Sequence, residues 1–597
     1  MLFSLRCLVA FAVLQLFTVP SFAVSQINIE IGALSNDSIE ARNADIQLNL
    51  KATPTIAFKT ALKQPADKAW SQAQLRCQVP ALWLQETWSC SDGKFTAARM
   101  SLPFVLDITP QPKGFVANLN LQGASFSDEA GLHAAEKLKG YLTIAVRQDG
   151  DTLHFNSALN WQSGEMFWQP LYIANGGHEL QANGNLRSDI LTLDTATLKL
   201  DKVGDLHFNG QVDTKTLKIQ KLSADLPNLN LAEAYPLLFK PFLGKTLLNN
   251  AELNGKAALN VSMVDAQVKA FKVNLKDVNV DDKNHKFAFY DVNADMPWGY
   301  DDETKVHISY QHGQLLNMPL GRASISAQVN RYSLVAPEIT LPILDGALKL
   351  SDISAARIND SWHWHLRAAL TPVSMPDATR AFKLPIMQGK AAAEIPLVTY
   401  SGGILTTDGA MALNVFEGQV KVTQLTMINP LGKTPKLSAD LTLRNLDLGS
   451  LTRTFSFGAI EGKLDGDVQD LEMVNWLPVK MDASLHSSPG KYTKKISQRA
   501  VENITALGGA GAAAAVQRSF LRFFEQFNYA KMGLSCKLRN DVCEMNGIES
   551  KQRGYVIVKG SGIPAITVMG YNQNVSWGEL IGRIKRVIDG NTKAIVK

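Results

Sequence analysis

Residues 436–444 read Lys436-Leu437-Ser438-Ala439-Asp440-Leu441-Thr442-Leu443-Arg444, a strict alternation of polar and apolar side chains. Successive side chains of a β-strand point to opposite faces of its sheet, so this stretch predicts a strand with one apolar and one polar face. No βαβ pattern accompanies it, which favours an antiparallel sheet. The same alternation recurs in Phe115, Ala117, Leu119 and Leu121, in Leu142, Ile144 and Val146, and in Met411, Leu413 and Val415.

A short internal sequence repeat indicates that the strands form a repeating unit. Leu344–Ile353 and Phe416–Leu425 share an acidic-Gly turn followed by an apolar-Lys-apolar strand, and Val264–Lys269 is a weaker third copy. Repetition of one supersecondary unit is typical of extended or stacked β architectures. The alternative is chance similarity among amphipathic strands.

The N-terminus has the order of a secretory signal. Arg6 precedes an apolar run from Cys7 to Val19, and Ser21 and Ala23 supply small residues for a signal peptidase. We expect cleavage after Ala23, which would leave a mature protein that begins at Val24. The alternative is a retained anchor, but the apolar run is shorter than the roughly 20 residues that a spanning helix needs.

The charge balance gives no indication of a nucleic-acid partner. The 597 residues include 60 Lys and Arg against 55 Asp and Glu, so no strong basic excess is present. Low-complexity runs are almost absent, which predicts an ordered chain.

Four cysteines follow the signal segment, in two close pairs. In an oxidising compartment, the simplest interpretation pairs Cys77 with Cys90 and Cys536 with Cys543. The second pair predicts a hairpin in which Cys536 faces Cys543 across a turn at Arg539-Asn540. A zinc site would need closer spacing and more ligands.

Helical signals are few. Ser125 to Asp128 form a capping box that predicts a short helix over 126–139. An amphipathic pattern predicts a helical pair over 491–527, and a second capping box at Ser576 opens a terminal helix. The apolar face of this last helix includes Trp577 and Ile581, and the pair carries a stripe of Phe520, Phe523, Phe524 and Phe527.

These signals divide the chain into seven segments. They are a signal peptide (1–23), an N-terminal β region (24–230), a helical segment (231–248), a repetitive β region (249–490), the helical pair (491–527), a C-terminal β region (528–575) and the terminal amphipathic helix (576–590).

Motifs for catalysis and cofactor binding are missing from the sequence. It contains no nucleophile elbow, zinc-protease motif, P-loop or dinucleotide fingerprint. On a strand, His363 and His365 would share one face and could hold a metal with a third ligand; the alternative is a half-buried strand with polar histidines outside. We expect a protein that is not an enzyme and that binds no metal or cofactor.

The long amphipathic alternation behind an export segment resembles the AsmA-like superfamily of bacterial envelope proteins, which includes TamB, YhdP and YdbH. The passages that carry the resemblance are Leu341–Ile353, Met411–Met427, Leu437–Leu448 and Phe455–Gly466, and the C-terminal half is most similar to the YdbH type. The best-known members are longer and keep an inner-membrane anchor, whereas this chain has the pattern of a cleavable signal.

The resemblance implies an elongated antiparallel β-sheet curled into an open, taco-like groove. Such a groove would conduct phospholipid between the inner and outer membranes from the periplasm. The alternatives are a structural or assembly factor for the outer membrane, and a secreted hydrolase or sugar-binding β protein. We expect the groove to be lined by alternate side chains of the repeated strands, represented by Leu348, Leu350, Val420, Val422, Leu441 and Leu443.

The expected partners are phospholipid and a membrane surface, with an outer-membrane lipoprotein or an inner-membrane protein as further candidates. The C-terminal helices could plug the end of the groove or dock on a membrane, because apolar stripes edged by basic residues lie well at a bilayer surface. The alternative is that these helices pack on the final sheet.

Overall fold

The computed structural model describes residues 24–35, 40–51, 53–63, 70–79, 86–244, 246–430, 432–508 and 524–588. The predicted signal peptide lies outside these ranges. The described residues form two compact units, of which the first lies within residues 24–249 and Ala258–Val268, and the second within Asn250–Ala257 and residues 269–588. Both are mainly β, as the alternation predicts.

In the first unit, each strand pairs antiparallel with the next from β1 to β9, β9 pairs with both β10 and β11, and the order continues to β14. The strands are β1 (Gln26–Ser35), β2 (Glu40–Asn49), β3 (Thr55–Lys63), β4 (Ser71–Gln78), β5 (Trp88–Ala97), β6 (Met100–Gln111), β7 (Gly114–Ser127), β8 (His133–Asp149), β9 (Thr152–Trp168), β10 (Leu171–Ala174), β11 (His178–Arg187), β12 (Ile190–Leu200), β13 (Gly204–Asp213) and β14 (Lys218–Asn230).

A helical segment follows β14, where the sequence predicts one over 231–248. It consists of α1 (Leu231–Ala234), a short π-helix (Tyr235–Phe239) and two short 3₁₀ helices (Lys240–Phe242 and Leu247–Asn250). The Asn230 side chain caps α1 by accepting a hydrogen bond from the Ala232 N–H. The next strand, β15 (Ala251–Val264), contributes residues to both units.

The second unit repeats the antiparallel pattern. Its strands are β16 (Gln267–Asp282), β17 (Phe287–Gly299), β18 (Glu303–Tyr310), β19 (His312–Leu315), β20 (Met318–Leu320), β21 (Ala323–Asn330), β22 (Ser333–Ile343), β23 (Gly346–Ile358), β24 (Ser361–Ser374), β25 (Lys390–Ser401), β26 (Ile404–Asp408), β27 (Met411–Val415), β28 (Gly418–Ile428), β29 (Lys436–Asp447), β30 (Ile460–Glu461), β31 (Lys463–Val474), β32 (Leu477–Ser487), β33 (Lys495–Ser497), β34 (Gln526–Arg539), β35 (Val542–Gly547), β36 (Glu549–Lys551), β37 (Gly554–Gly560), β38 (Val568–Gly570) and β39 (Asn574–Ser576). Its helices are α2 (Met375–Ala381), α3 (Leu448–Thr454), α4 (Gln498–Gly508) and α5 (Trp577–Ile588).

The C-terminal part of the second unit has a conventional core. Helix α4 contacts β38 and α5, and the buried side chains between these elements form one cluster. Phe527 is 1% exposed, and Leu538 and Val568 are fully buried. Tyr529 is also buried there, and its hydroxyl donates a hydrogen bond to the Glu461 carbonyl at 2.8 Å.

β-Bulges interrupt many of the long strands near their middle. At these points the register shifts and the strand bends, because a bulge opposes two residues to one. Small buried side chains occupy the bends, where there is little room for a larger one. Examples are Ala44, Ala124, Ala196, Ala368 and Ala439, none of which is more than 9% exposed.

The predicted helix over 126–139 is wrong. Strand β7 runs to Ser127 and β8 begins at His133, with a turn between them. The Asp128 carboxylate caps this turn by accepting hydrogen bonds from the N–H groups of Leu132 and His133, at 2.8 and 3.1 Å. The predicted capping box does not form, because the Ser125 hydroxyl accepts a hydrogen bond from the Lys137 N–H on the neighbouring strand. Cross-strand pairing of Phe126 with Ala135 outweighs the helix propensity of the following residues.

The prediction of a helical pair over 491–527 is also partly wrong. Helix α4 lies within it, but Phe527 belongs to β34, where it pairs with Ile496 of β33. Phe524 lies outside any helix, and Phe520 and Phe523 fall outside the described residues.

Both predicted disulfides are present, Cys77–Cys90 and Cys536–Cys543, each with a Cα–Cα distance of 5.4 Å. The second hairpin turns at Asn540-Asp541 rather than Arg539-Asn540, so Cys543 lies opposite Leu538 and bonds diagonally to Cys536. Within the described ranges, no helix combines the length and apolar character needed to cross a membrane.

Candidate functional site

A ladder of seven leucines crosses the first unit. Each leucine lies directly opposite the next in the antiparallel register, on seven neighbouring strands from β6 to β13. We refer to this set as the leucine ladder: Leu106, Leu119, Leu142, Leu159, Leu180, Leu198 and Leu206. Neighbouring strands are about 4.8 Å apart, so the ladder forms an apolar line of roughly 29 Å.

The opposite face of the same strands is largely polar. The row one residue away from the leucine ladder contains Asp107, Asn118, Thr143, Ala158, Gln181, Thr197 and His207. Some of its members hydrogen-bond across the strands, as Thr143 does with Asn118 at 2.9 Å. The alternation therefore separates an apolar from a polar surface across the sheet.

A longer apolar row crosses ten strands of the second unit, from β22 to β34. Its register is continuous, and at about 4.8 Å per strand it extends roughly 43 Å. We refer to this set as the ten-strand row: Leu341, Leu348, Leu370, Ala393, Leu413, Val420, Leu443, Gly466, Leu485 and Leu534.

The six residues predicted to line a groove lie on one apolar face. Leu348, Val420 and Leu443 belong to the ten-strand row. Leu350 lies beside it, opposite Ile339 and Ala368. Val422 and Leu441 lie opposite each other in a parallel row, which consists of Met411, Val422, Leu441, Val468, Ala483 and Cys536.

Most side chains of these apolar rows are less buried than those of the C-terminal core. All seven members of the leucine ladder and all six predicted groove residues are partly exposed. Leu413 and Leu485, on the ten-strand row, are 38% and 36% exposed. The C-terminal core of the same unit buries comparable side chains to within a few percent, as for Leu538 and Val568. Toward their C-terminal end the rows join this core: Val420, Leu443 and Leu534 of the ten-strand row pack against it. Most of the remaining members present apolar surface that the described chain leaves partly exposed.

Polar side chains stabilise the bulges that bend these strands. At five bulges a residue with positive φ has lost its ladder partner, and its N–H donates instead to a side chain of the neighbouring strand. The pairs are Lys137 with Ser125, Asp277 with Asn293, Asp291 with Asn279, Asn445 with Asp465, and Asp470 with Asp440, at 2.8 to 3.2 Å.

The Asp465 carboxylate is the most constrained of these acceptors. Burial alone raises its pKa, but hydrogen bonds from the Asn445 N–H and the Ser488 hydroxyl, together with the charge of Arg444, lower the pKa below its ordinary value. The carboxylate therefore stays ionised and keeps accepting both hydrogen bonds at neutral pH.

The Trp362–His365 stretch is on β24. Trp364 stacks on Tyr400, with ring centroids 5.3 Å apart, and His363 Nδ1 lies 2.9 Å from the Ser401 hydroxyl. Among the residues that the structure describes, no group of three His, Cys, Asp or Glu side chains could hold a metal ion.

The C-terminal helix places its two predicted residues differently. Trp577 packs against the buried cluster beside Leu580, which is 5% exposed. Ile581 is partly exposed and is not part of the cluster. Phe524 packs on the same cluster and Phe527 lies inside it.

Sequence reasoning missed most of the leucine ladder and all of the bulge acceptors. The alternation around Leu119 and Leu142 was visible, but the register that aligns seven leucines depends on each turn and bulge. An Asp or Asn inside an otherwise alternating strand, such as Asn445 or Asp470, was the available signal for a bulge, because these residues tolerate positive φ.

No protein-family model and no curated protein matches this sequence. The evidence for its function therefore comes from the chain's own side chains, above all the apolar rows.

Proposed function

We propose that this protein binds the acyl chains of phospholipids along its apolar rows and conducts them between the two membranes of a Gram-negative envelope, without catalysing a reaction. The observation that carries the proposal is the partly exposed, in-register apolar surface of the leucine ladder and the ten-strand row. The proposal makes the protein similar in action to the AsmA-like superfamily that its sequence resembles.

The dimensions of the ten-strand row suit movement along a path better than binding at one place. A single acyl chain occupies about half of the roughly 30 Å hydrocarbon core of a bilayer, which is about 15 Å. The row, at roughly 43 Å, offers such a chain several overlapping positions of similar chemistry. Each CH₂ kept from water contributes about 0.8 kcal/mol at any of these positions, so a shift between them meets no large desolvation barrier.

The bends support the same proposal. A strand that bends at its bulge can bring two limbs of its apolar face toward each other, and the small alanines at the bends permit a close approach. Acyl chains on such a surface would be shielded on two sides, while the polar headgroups would remain in water.

The two disulfides are consistent with an oxidising compartment, and we place the protein in the periplasm. We also propose that a membrane surface and a partner, either an outer-membrane lipoprotein or an inner-membrane protein, complete the path at its ends.

Native mass spectrometry of the full mature chain, purified from membranes in a mild detergent, tests the proposal. We expect mass additions that match phospholipids and that disappear after delipidation. Protein that is free of lipid on isolation, and that takes up none from phospholipid vesicles, would contradict lipid conduction and favour the structural or assembly role.

A further inference from the structure

The C-terminal core contains an apolar cavity of ≈ 140 Å³. It lies among β31, β32, β34, β35, β37 and α4. Its described lining includes Leu464, Leu485, Ile504, Met532, Leu534 and Met545.

The cavity is continuous with the ten-strand row. Leu485 and Leu534 are the last two members of that row, and both line the cavity. Gly466 precedes them and has no side chain; a Cβ there would come within 2.5 Å of Leu485 Cδ2, so the leucine side chain covers this position. The apolar path thus leads from a partly exposed strand surface into a partly open apolar cavity.

The chemistry of the lining favours hydrocarbon over water. Apolar cavities of roughly 150 Å³ stay dry and take up benzene or xenon, because water finds no hydrogen-bond partners in them. Tyr555 also lines the cavity, but its hydroxyl already donates to the Asn572 carbonyl at 3.3 Å. The ring therefore presents its carbon atoms and leaves no polar group to be satisfied by a ligand.

We infer that this cavity receives the methyl end of an acyl chain that lies along the ten-strand row. The inference rests on the proposed function and adds a defined terminus to the path. A space of this size holds a group as large as benzene, and so the last few carbons of a chain. The chain end would then fix the lipid at one end of the row.

Two photoreactive fatty acids of equal length test the inference on the full mature chain. One carries a diazirine at the methyl end and the other carries it beside the carboxyl group. We expect the methyl-end probe to label Met532, Met545 or other cavity residues, as mapped by peptide mass spectrometry. The carboxyl-end probe should label strands of the ten-strand row instead.

In the variant Leu485→Trp, the larger side chain should fill the cavity and block entry of an acyl chain. Leu485 is 36% exposed, so a larger side chain can be accommodated there without displacing a fully buried group. The matched control is Ser484→Trp, which places the same side chain on the opposite, exposed face of β32. Leu534→Phe replaces the first variant if its circular dichroism spectrum shows unfolding.

The outcomes separate the inference from the proposed function. At least a fivefold loss of cavity labelling in Leu485→Trp, with labelling retained in Ser484→Trp and on β23, supports the inference. Labelling of the row without the cavity, or equal cavity labelling in the blocked variant, overturns the inference and leaves lipid binding intact. No labelling anywhere overturns both.

Discussion

Val420 of β28 lies directly opposite Leu443 of β29, and Lys421 lies opposite Thr442 on the same two strands. Two successive residues of one strand therefore belong to surfaces of opposite character. Val420 is partly exposed among apolar neighbours, whereas Lys421 is exposed among polar ones. This pair gives the most direct comparison between the two faces of the sheet.

A photo-crosslinking residue at Val420 should capture phospholipid in living cells. The same residue at Lys421 should capture little, because acyl chains have no apolar surface on that face. Mass spectrometry of the crosslinked adducts measures the difference. Equal capture at the two positions would contradict the assignment of the lipid to the apolar face.

A charge within the leucine ladder should lower lipid binding in the first unit. Leu159→Arg puts a guanidinium where acyl chains would lie, and a cost of only about 1.4 kcal/mol lowers affinity tenfold. Leu159 is partly exposed, so the arginine can reach solvent and the fold should persist. The control, Ala158→Arg, adds the same charge on the exposed polar face.

Phospholipid copurified with each variant, counted per protein by lipid mass spectrometry, tests this prediction. We expect about a tenfold reduction for Leu159→Arg and no change for Ala158→Arg. If both variants retain the same amount of phospholipid, the leucine ladder is not a lipid-binding surface.

Loss of the Cys77–Cys90 disulfide should destabilise the first unit. The cysteines are 13 residues apart, and a loop of about 15 residues contributes about 3 kcal/mol through the entropy of the unfolded chain. The double variant Cys77→Ala, Cys90→Ala should therefore unfold at lower urea concentration. Thiol labelling of the denatured, non-reduced mature protein should find no free cysteine, whereas four reactive thiols would contradict both disulfides.

Local alternation was enough to predict the fold class and the apolar face. Leu441 and Leu443 are separated by one residue, so their shared face follows from strand geometry alone. Strand geometry alone does not show which side chains of other strands lie beside Leu441 and Leu443. The partnership of Leu443 with Gly466 depends on helix α3 and on two bulges, each of which shifts the register.

The errors also have physical causes. Residues 133–139 contain good helix formers, but pairing between β7 and β8 places them in a strand. Phe527 fits a helical spacing with Phe520, yet Ile496 on β33 fixes it in a sheet. Pairing with a neighbouring strand decided both cases, and the helix propensities of single residues do not show it.

The depressed pKa of Asp465 predicts a loss of stability in acid. A carboxyl whose pKa is lower in the folded than in the unfolded protein stabilises the fold above its unfolded value, about 3.9. That stabilisation is lost as the pH falls through the lower folded value. The free energy of unfolding of the wild-type protein should therefore exceed that of Asp465→Asn near pH 7, and the two should converge below about pH 4.

Urea titrations of both proteins between pH 3 and pH 7 measure this difference. Asp470→Asn, a change at an exposed bulge residue, is the control. A constant gap between wild type and Asp465→Asn across the range would mean that ionisation of Asp465 does not support its bulge.

Helix α5 distinguishes a core role from membrane docking through two adjacent residues. Leu580 is 5% exposed and belongs to the buried cluster, whereas Ile581 is partly exposed outside it. Because a buried leucine leaves a cavity when truncated, Leu580→Ala should lower the free energy of unfolding by about 2–5 kcal/mol. Ile581→Ser should cost clearly less and should leave binding to anionic phospholipid vesicles unchanged, as measured by cosedimentation. A folded Ile581→Ser variant that no longer binds vesicles would assign the exposed side of this helix to the membrane surface, while Leu580 remains in the core.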